Sequence, residues 1–355
     1  MVISSLAVPV VGAPMAGGPS TPELAVAVSE AGGLGFLAGG YLTAGQLAGQ
    51  IADVWNASSC AWGVNLFVPE SANTFTSSYA AGPARLDGDL RARAVSQYRE
   101  CLLGDADRLG VVLPEPVAGD TDGWDRKLDL VLREKVPVVS FTFGLPSPAV
   151  LSELRRAGIE TVITVSDVEE AEAAMEAGAD ALVVQGPDGG GHRGTLDQTK
   201  EASAEDLVDL VAAVREGTSI PVIAAGGIST PVRARQVRDA GATAVQVGTA
   251  LLLTPEAGTG LAYRRALKDP AHTRTAVTRA FSGRLARALE TDFVRQHDDL
   301  APAAYPEVHQ LTSPLRRASA AADDPRLMAL WAGTGWQVAA DVPAAAVVRH
   351  IAGED

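Results

Sequence analysis

Read by the spacing of its apolar positions, the chain repeats one unit: a stretch of helical period, an Ala-Gly break, then a short apolar run. The unit recurs as SEAGGLGFLAG (29–39), RRAGIETVITV (155–165), EAGADALVVQG (176–186) and DAGATAVQVGT (239–249). In each, glycine falls where a helix ends on a left-handed residue. The apolar run after it reads as a strand buried on both faces, as parallel sheets require. Helix starts are marked by Thr21-Pro22 and Thr230-Pro231, an N-cap before a first-turn proline, and by Ser166-Asp-Val-Glu169, which reads as a capping box. Strands are predicted near 8–13, 34–38, 61–66, 137–142, 160–165, 181–185, 221–225 and 243–248. Eight βα units over about 250 residues predict an α/β fold of the (β/α)8 TIM barrel type, with a doubly wound sheet as the alternative. Gly33-Leu-Gly35-Phe-Leu-Ala38 has dinucleotide-fingerprint spacing, but it follows a helix and enters a strand. The fingerprint needs the reverse order, so it is rejected.

Two regions fall outside the repeat. The barrel is assigned to 1–68 and 126–255. An insertion at 69–125 carries the charged helical run GDLRARAVSQYRECLL, and the C-terminal segment 256–355 has helical periodicity and no strand signal. Together they are expected to form a helical cap beside the barrel mouth.

Composition narrows the class. At 355 residues and 47% hydrophobic, the chain can bury a large core. A net charge of −14 argues against nucleic acid and anionic membranes as partners. Cys60 and Cys101 lack CxxC spacing, which fits a reducing compartment. The N-terminal MVISSLAVPVVGAPM has no basic region and makes a poor signal peptide, and no apolar run approaches the ~18 residues of a membrane span. A cytoplasmic protein is expected.

In a barrel the loops after the strands share one face, and there the chemistry collects. These loops are APMAGG (13–18), NLFVP (65–69), FTFGLP (141–146), QGPDGGGHRG (185–194), AAGGIST (224–230) and QVGTALLL (246–253). Their glycines suggest a large ligand lying close to the main chain. Gly226-Gly227 and Gly248-Thr249 follow strands seven and eight, where many barrels hold a phosphate, although tight turns alone would also use glycine there. Gln185, Gln246 and Asn65 offer amides that donate and accept, as a flavin ring edge requires. His192 sits among five glycines, and an imidazole near its ordinary value of ~6.5 suits proton transfer at neutral pH. Arg193 beside it reads as a partner for a nitro or carboxylate group, or as a loop salt bridge. Met15 reads as packing under a flavin or filling core. A metal role for His192 is poor, since His272, His297, His309 and His350 show no ligand spacing.

The motifs VPVVGAPMAGG, SFTFGLP, QGPDGGGHRG, IPVIAAGGI, AVQVGTALL, AFSGRLARAL and YPEVHQLTSPLR, in that order, resemble the nitronate monooxygenases, formerly 2-nitropropane dioxygenases. These are FMN-dependent barrels, and SFTFG is similar to the class I members. The resemblance implies FMN contacts from Ala13, Pro14, Met15, Asn65, Gln185, Gly186, Gly189, Gly190, Gly191, Gly226, Gly227, Gln246, Val247, Gly248 and Thr249. It implies His192 as the catalytic residue and Phe143, Arg193, Tyr305 and His309 beside the substrate. The chain departs from class I at His309 and Ser313, where those members carry a second tyrosine and a lysine. The implied reaction converts an alkyl nitronate, such as propionate 3-nitronate, and O2 to a carbonyl compound and nitrite. The partners expected are a small substrate and O2, with the chain a monomer or homodimer. A flavin reductase using NAD(P)H, either an enoyl-ACP or a quinone reductase, is the alternative, and a non-catalytic FMN carrier is a third.

Overall fold

The computed structural model describes residues 1–76, 88–201 and 203–354. Along the chain its strands are β1 (Val10–Gly12), β2 (Gly35–Ala38), β3 (Trp62–Phe67), β4 (Val138–Thr142), β5 (Glu160–Val165), β6 (Ala181–Gln185), β7 (Gly191–His192), β8 (Val222–Ala225), β9 (Ala244–Val247), β10 (Thr275–Thr278) and β11 (Ala286–Leu289). Eight of them form one parallel sheet in the order β1-β9-β8-β6-β5-β4-β3-β2. The sheet closes on itself through a bridge between Val11 and Leu34, with Gly12 N donating to Leu34 O at 2.9 Å and Leu34 N to Val10 O at 3.0 Å. This is the (β/α)8 barrel that the repeat predicts. Its interior is filled by Val11, Phe36, Val138, Val162, Val183 and Ile223, among others.

The helix punctuation works as read. Gly32, Gly158, Gly178 and Gly241 adopt φ of +89°, +83°, +97° and +111°, where any Cβ would be strained. Thr21 and Thr230 cap their helices by accepting from Leu24 N and Arg233 N. The capping box at Ser166 is a correction. Asp167 is the N-cap, and the Ser166 amide and hydroxyl both donate to the Glu170 carboxylate.

Two further corrections concern the C-terminal segment. Its last helix, Ala344–Ala352, buries Val348 and Ile351 in the barrel core and packs on β1 and on helices Pro22–Glu30 and Pro231–Asp239. It completes the outer ring, so the cap chain is spliced between the eighth strand and the eighth helix. The segment also holds strands. β10 and β11 pair antiparallel, and β11 pairs with β7 from the barrel loop. Four-residue strands that alternate weakly, such as TAVT and ARAL, leave no pattern above that of a helix.

The rest of that segment shares one apolar core with the insertion. Val95, Tyr98, Leu102 and Ala106 from the insertion pack with Phe281, Phe293, Val308 and Leu311. Polar contacts fix the docking: Tyr98 Oη donates to Ala280 O at 2.6 Å, and His297 Nε2 lies 2.8 Å from Asp105 Oδ2. Arg91 grips Glu307 with two bonds of 2.9 and 2.8 Å and donates to Tyr305 O at 2.7 Å. Among the described residues no helix is long and apolar enough to cross a membrane.

If the last helix belongs to the barrel core, Ile351→Ala should cost about 2–4 kcal/mol in urea unfolding. A loss under about 0.5 kcal/mol, typical of a surface change, would place that helix outside the core.

Candidate active site

A cavity of about 620 Å³ opens where the loops after the strands meet the cap. The β1 loop brings Ala13, Pro14 and Met15 to its wall, and β3 brings Asn65. After β6 come Gln185, Gly189, Gly190, Gly191 and His192. The loops after β8 and β9 supply Gly226, Gly227, Gln246, Val247, Gly248 and Thr249. Phe143 and His309 border it as well. Three expected residues stand back from the wall: Gly186, Arg193 and Tyr305. Ser313 also borders it, as do residues that the sequence pattern does not single out, among them Tyr41, Arg316, Arg317 and Trp331.

Arg193 is corrected from substrate partner to loop clamp. It is buried, its Nη1 donates to Gly186 O, and its backbone N donates to Leu285 O at 2.8 Å. Tyr305 lies one layer behind, its ring 5.3 Å from that of Phe143 and 6.4 Å from that of His192.

The glycines of the histidine loop answer to protein packing. A Cβ on Gly190 would meet Gly333 N at 2.5 Å and Ala332 C at 2.6 Å, where the cap chain crosses the loop. A Cβ on Gly226 would lie 2.9 Å from Gly186 O, so the two glycine loops close on each other. The expectation that the ligand alone demands them is therefore too narrow.

Gln185 is also committed locally. Its Nε2 donates to His192 O at 3.0 Å, and its Oε1 accepts from Gly194 N at 2.7 Å, which fixes both ends of the turn. Asn65 directs its Nδ2 to Ser140 Oγ at 2.9 Å, Thr142 Oγ1 at 3.0 Å and the backbone Ser140 O at 3.3 Å, and that carbonyl, which only accepts, fixes which end of the amide is which. Its Oδ1 is left to accept. The Gln246 side chain makes no hydrogen bond to protein among the described residues and lines the same cavity. One fixed acceptor and one free amide fit the alternating edge of a flavin. The glycine turns before helix Pro231–Asp239 and at Gly248-Thr249 fit its phosphate.

His192 is held from three sides. Its backbone pairs with Ala286 in the cap sheet, its ring lies 5.3 Å from Phe143 and 5.2 Å from Trp331, and its Nε2 is 2.8 Å from Ser282 Oγ. The Ser282 hydroxyl donates to Arg284 O at 3.3 Å, so the shorter contact runs from imidazole Nε2–H and leaves Nδ1 with the lone pair. Burial, then the charges of Arg284 and Arg316, pull the imidazole down to about 3. The expectation of an ordinary value is thus corrected, and the ring is neutral at physiological pH.

Phe143 is a strained residue, with φ of +79°. Arg284 holds it, donating to Phe143 O at 2.9 Å while its guanidinium carbon sits 4.3 Å over the ring. Among the described residues no cluster of His, Cys, Asp and Glu could hold a metal.

Such a barrel, with a histidine over a cavity walled by glycine turns and an acceptor amide, fits the class of barrels built to take a planar, phosphorylated group. Comparisons narrow it. The model of the nitronate monooxygenase family matches residues 2–354. A probable nitronate monooxygenase of Staphylococcus aureus (strain MSSA476) is 36% identical over 98% of this chain and 94% of its own. The solved nitroalkane oxidase of Streptomyces ansochromogenes is 45% identical, with a TM-score of 0.90 over 100% of this chain and 97% of that one. FabK from Thermotoga maritima is 25% identical, with a TM-score of 0.73 over 99% and 94%. The chain belongs to the nitronate monooxygenase family. It is an oxidoreductase, and the family implies a flavin.

Glu170 anchors the far end of the histidine loop, accepting from Leu196 N at 2.9 Å. Burial, then Asp167, push its carboxyl up to about 7 against those hydrogen bonds and Lys200. Between its ordinary value of 4.5 and about 7 the folded state holds the extra proton, so stability falls as pH rises. The loss should reach about 3 kcal/mol. Glu170→Gln should therefore gain on wild type in urea unfolding between pH 5 and pH 8, and parallel profiles would refute this.

Proposed function

We propose that the chain is an FMN-dependent monooxygenase that oxidises small alkyl nitronates with O2 to a carbonyl compound and nitrite, in the cytoplasm, as a monomer or homodimer. The observation that carries this reading is His192, neutral at physiological pH, on the wall of a cavity whose charged lining residues are Arg316 and Arg317, with no carboxylate. Such a cavity attracts an anion and repels a cation. Asn65, Gln246 and the two glycine turns would hold FMN. FMN supplies the electron acceptor and the route to O2.

The protein's own residues bind, orient and exclude water. Phe143, Trp331 and the neutral imidazole form an apolar wall beside the reacting carbon, which strengthens the pull of the arginines on the nitronate. A nitronate arrives already deprotonated and asks no base of the enzyme. A neutral nitroalkane must lose its α-proton to Nδ1 of His192. An imidazole this hard to protonate accepts that proton only while the new anion is held beside it. Nitronates should therefore be turned over better than their nitroalkanes. The likeness to FabK keeps one rival reading, reduction by a nicotinamide.

Under argon, a nitronate such as propionate 3-nitronate should reduce the bound flavin, while NADPH and NADH should not. Fast bleaching by a nicotinamide without response to nitronate would transfer the protein to the reductases. His192→Asn should retain flavin and lose about 10²-fold or more on neutral nitroalkanes, with a smaller loss on nitronates. Equal losses on both would remove the proton transfer from this account.

A further inference from the structure

Residues 331–336 carry the chain from the cap back to the barrel, and they cross the mouth of both glycine turns on the way. The segment is anchored at each end. Trp331 bridges Ala288 of β11 and its carbonyl accepts from Tyr263 Oη, while Trp336 is buried beside Tyr263 and Leu253. Between the anchors the chain alternates: Gly333 and Gly335 border the cavity, and Thr334 between them is exposed to solvent. That is the period of an extended strap whose inward side chains have been removed. Three backbone N–H groups hold it down. Ala332 N donates to Arg287 O at 3.3 Å, Gly333 N to Thr249 Oγ1 at 3.0 Å, and Thr334 N to Asp188 O at 3.1 Å.

The strap lies against the turns without a gap. A Cβ on Gly335 would run into Ser229 Oγ and come within 3.0 Å of Ser229 Cβ, and Ser229 directly precedes Thr230, the N-cap of helix Pro231–Asp239. Gly335 adopts φ −95°, which any residue can take, so space and not backbone conformation requires glycine there. A Cβ on Gly333 would lie 2.8 Å from Asp188 O and 3.5 Å from Thr249 Oγ1. The other sides of the turns are also occupied. A Cβ on Gly227 would meet Asp188 Cβ at 2.5 Å, and one on Gly248 would meet Ala13 Cβ at 3.2 Å. The turns are thus walled by the strap, the histidine loop and the β1 loop, and they open inward to the cavity.

We propose that the 331–336 strap selects the cofactor: it admits a flavin mononucleotide, whose chain ends at the phosphate, and excludes a dinucleotide such as FAD, whose chain runs on from that phosphate to adenosine. Selection works by obstruction, since the dinucleotide would have to displace the strap from Thr249 and Asp188. Gly335 is the specificity-determining residue, because its missing side chain lets the strap close on Ser229. The same closure retains the cofactor, because those bonds must break before the phosphate end opens to solvent. This rests on the flavin reading and is independent of the nitronate one, and the test separates the strap from the flavin.

The probes are FMN and FAD, added to the full-length chain after its own flavin is removed, with affinity measured by calorimetry. Release of FMN from the loaded protein is followed separately by flavin fluorescence after dilution. Wild type should bind FMN about a hundredfold tighter than FAD, as the loss of two hydrogen bonds implies. Gly335→Ala should cut that preference about tenfold and speed FMN release by a similar factor. In a Ser229→Gly background, which removes the atoms in the way, the same change should cost less than about threefold. Equal affinity of wild type for the two flavins would overturn the strap with the flavin reading intact. So would a Gly335→Ala effect that is absent, or one that persists in full beside Ser229→Gly. No affinity of wild type for either flavin would overturn the flavin reading and the strap with it.

Discussion

The site depends on one short pairing, two residues of a barrel loop against two of the cap: His192 opposite Ala286 and Gly191 opposite Arg287. A loop with five glycines in nine residues is costly to order, since each glycine gives up more backbone freedom than any other residue. The pairing turns that loop into an edge strand. Gln185 then ties its base from the barrel side, and Arg287 donates to Pro187 O from the cap side at 2.9 Å. Close approach of Ala332 and Gly333 leaves no room for a side chain on Gly190. The glycines are what two lobes require to meet over one histidine.

Charge follows from the same geometry. Arg193 and Arg284 donate to backbone carbonyls of the loops they brace, Arg287 donates to Pro187 O and to Thr275 Oγ1, and among the described residues none of the three pairs with a carboxylate. Carbonyl dipoles offset part of the desolvation of a buried guanidinium and leave its net charge in place. A protein of net charge −14 thus holds a positive field at its centre. Burial first, then the charges of Arg284 and Arg316, keeps His192 deprotonated, and the same charges favour an anion beside it.

The barrel was legible because its signals are local: a left-handed glycine and an apolar run mark each unit within about ten residues. The glycine turns and His192 were legible for the same reason. What was hidden depends on contacts between distant parts of the chain. Nothing in TAVT or ARAL announces a strand whose partner is the 191–192 loop. The helix Ala344–Ala352 reads as an ordinary amphipathic segment, and only the missing eighth helix of the ring explains where it goes. Arg193, beside the histidine in sequence, points away from the cavity, while Arg316 and Tyr41 reach it from the cap and the second loop.

Backbone strain shows how the two lobes share the work at the substrate end. Phe143 and Tyr41 are aromatic residues with positive φ, and both touch Phe67, at 4.4 Å and 5.4 Å between ring centroids. Such conformations cost about 1–3 kcal/mol each and persist only where surroundings impose them. Arg284 from the cap holds Phe143, and Asp122 with Lys127 holds Tyr41. Packing alone would be served as well by unstrained rotamers of other apolar residues. Strain maintained by buried charges on both sides of one cavity is better explained as preorganisation, with the cost met in folding so that the substrate meets fixed walls.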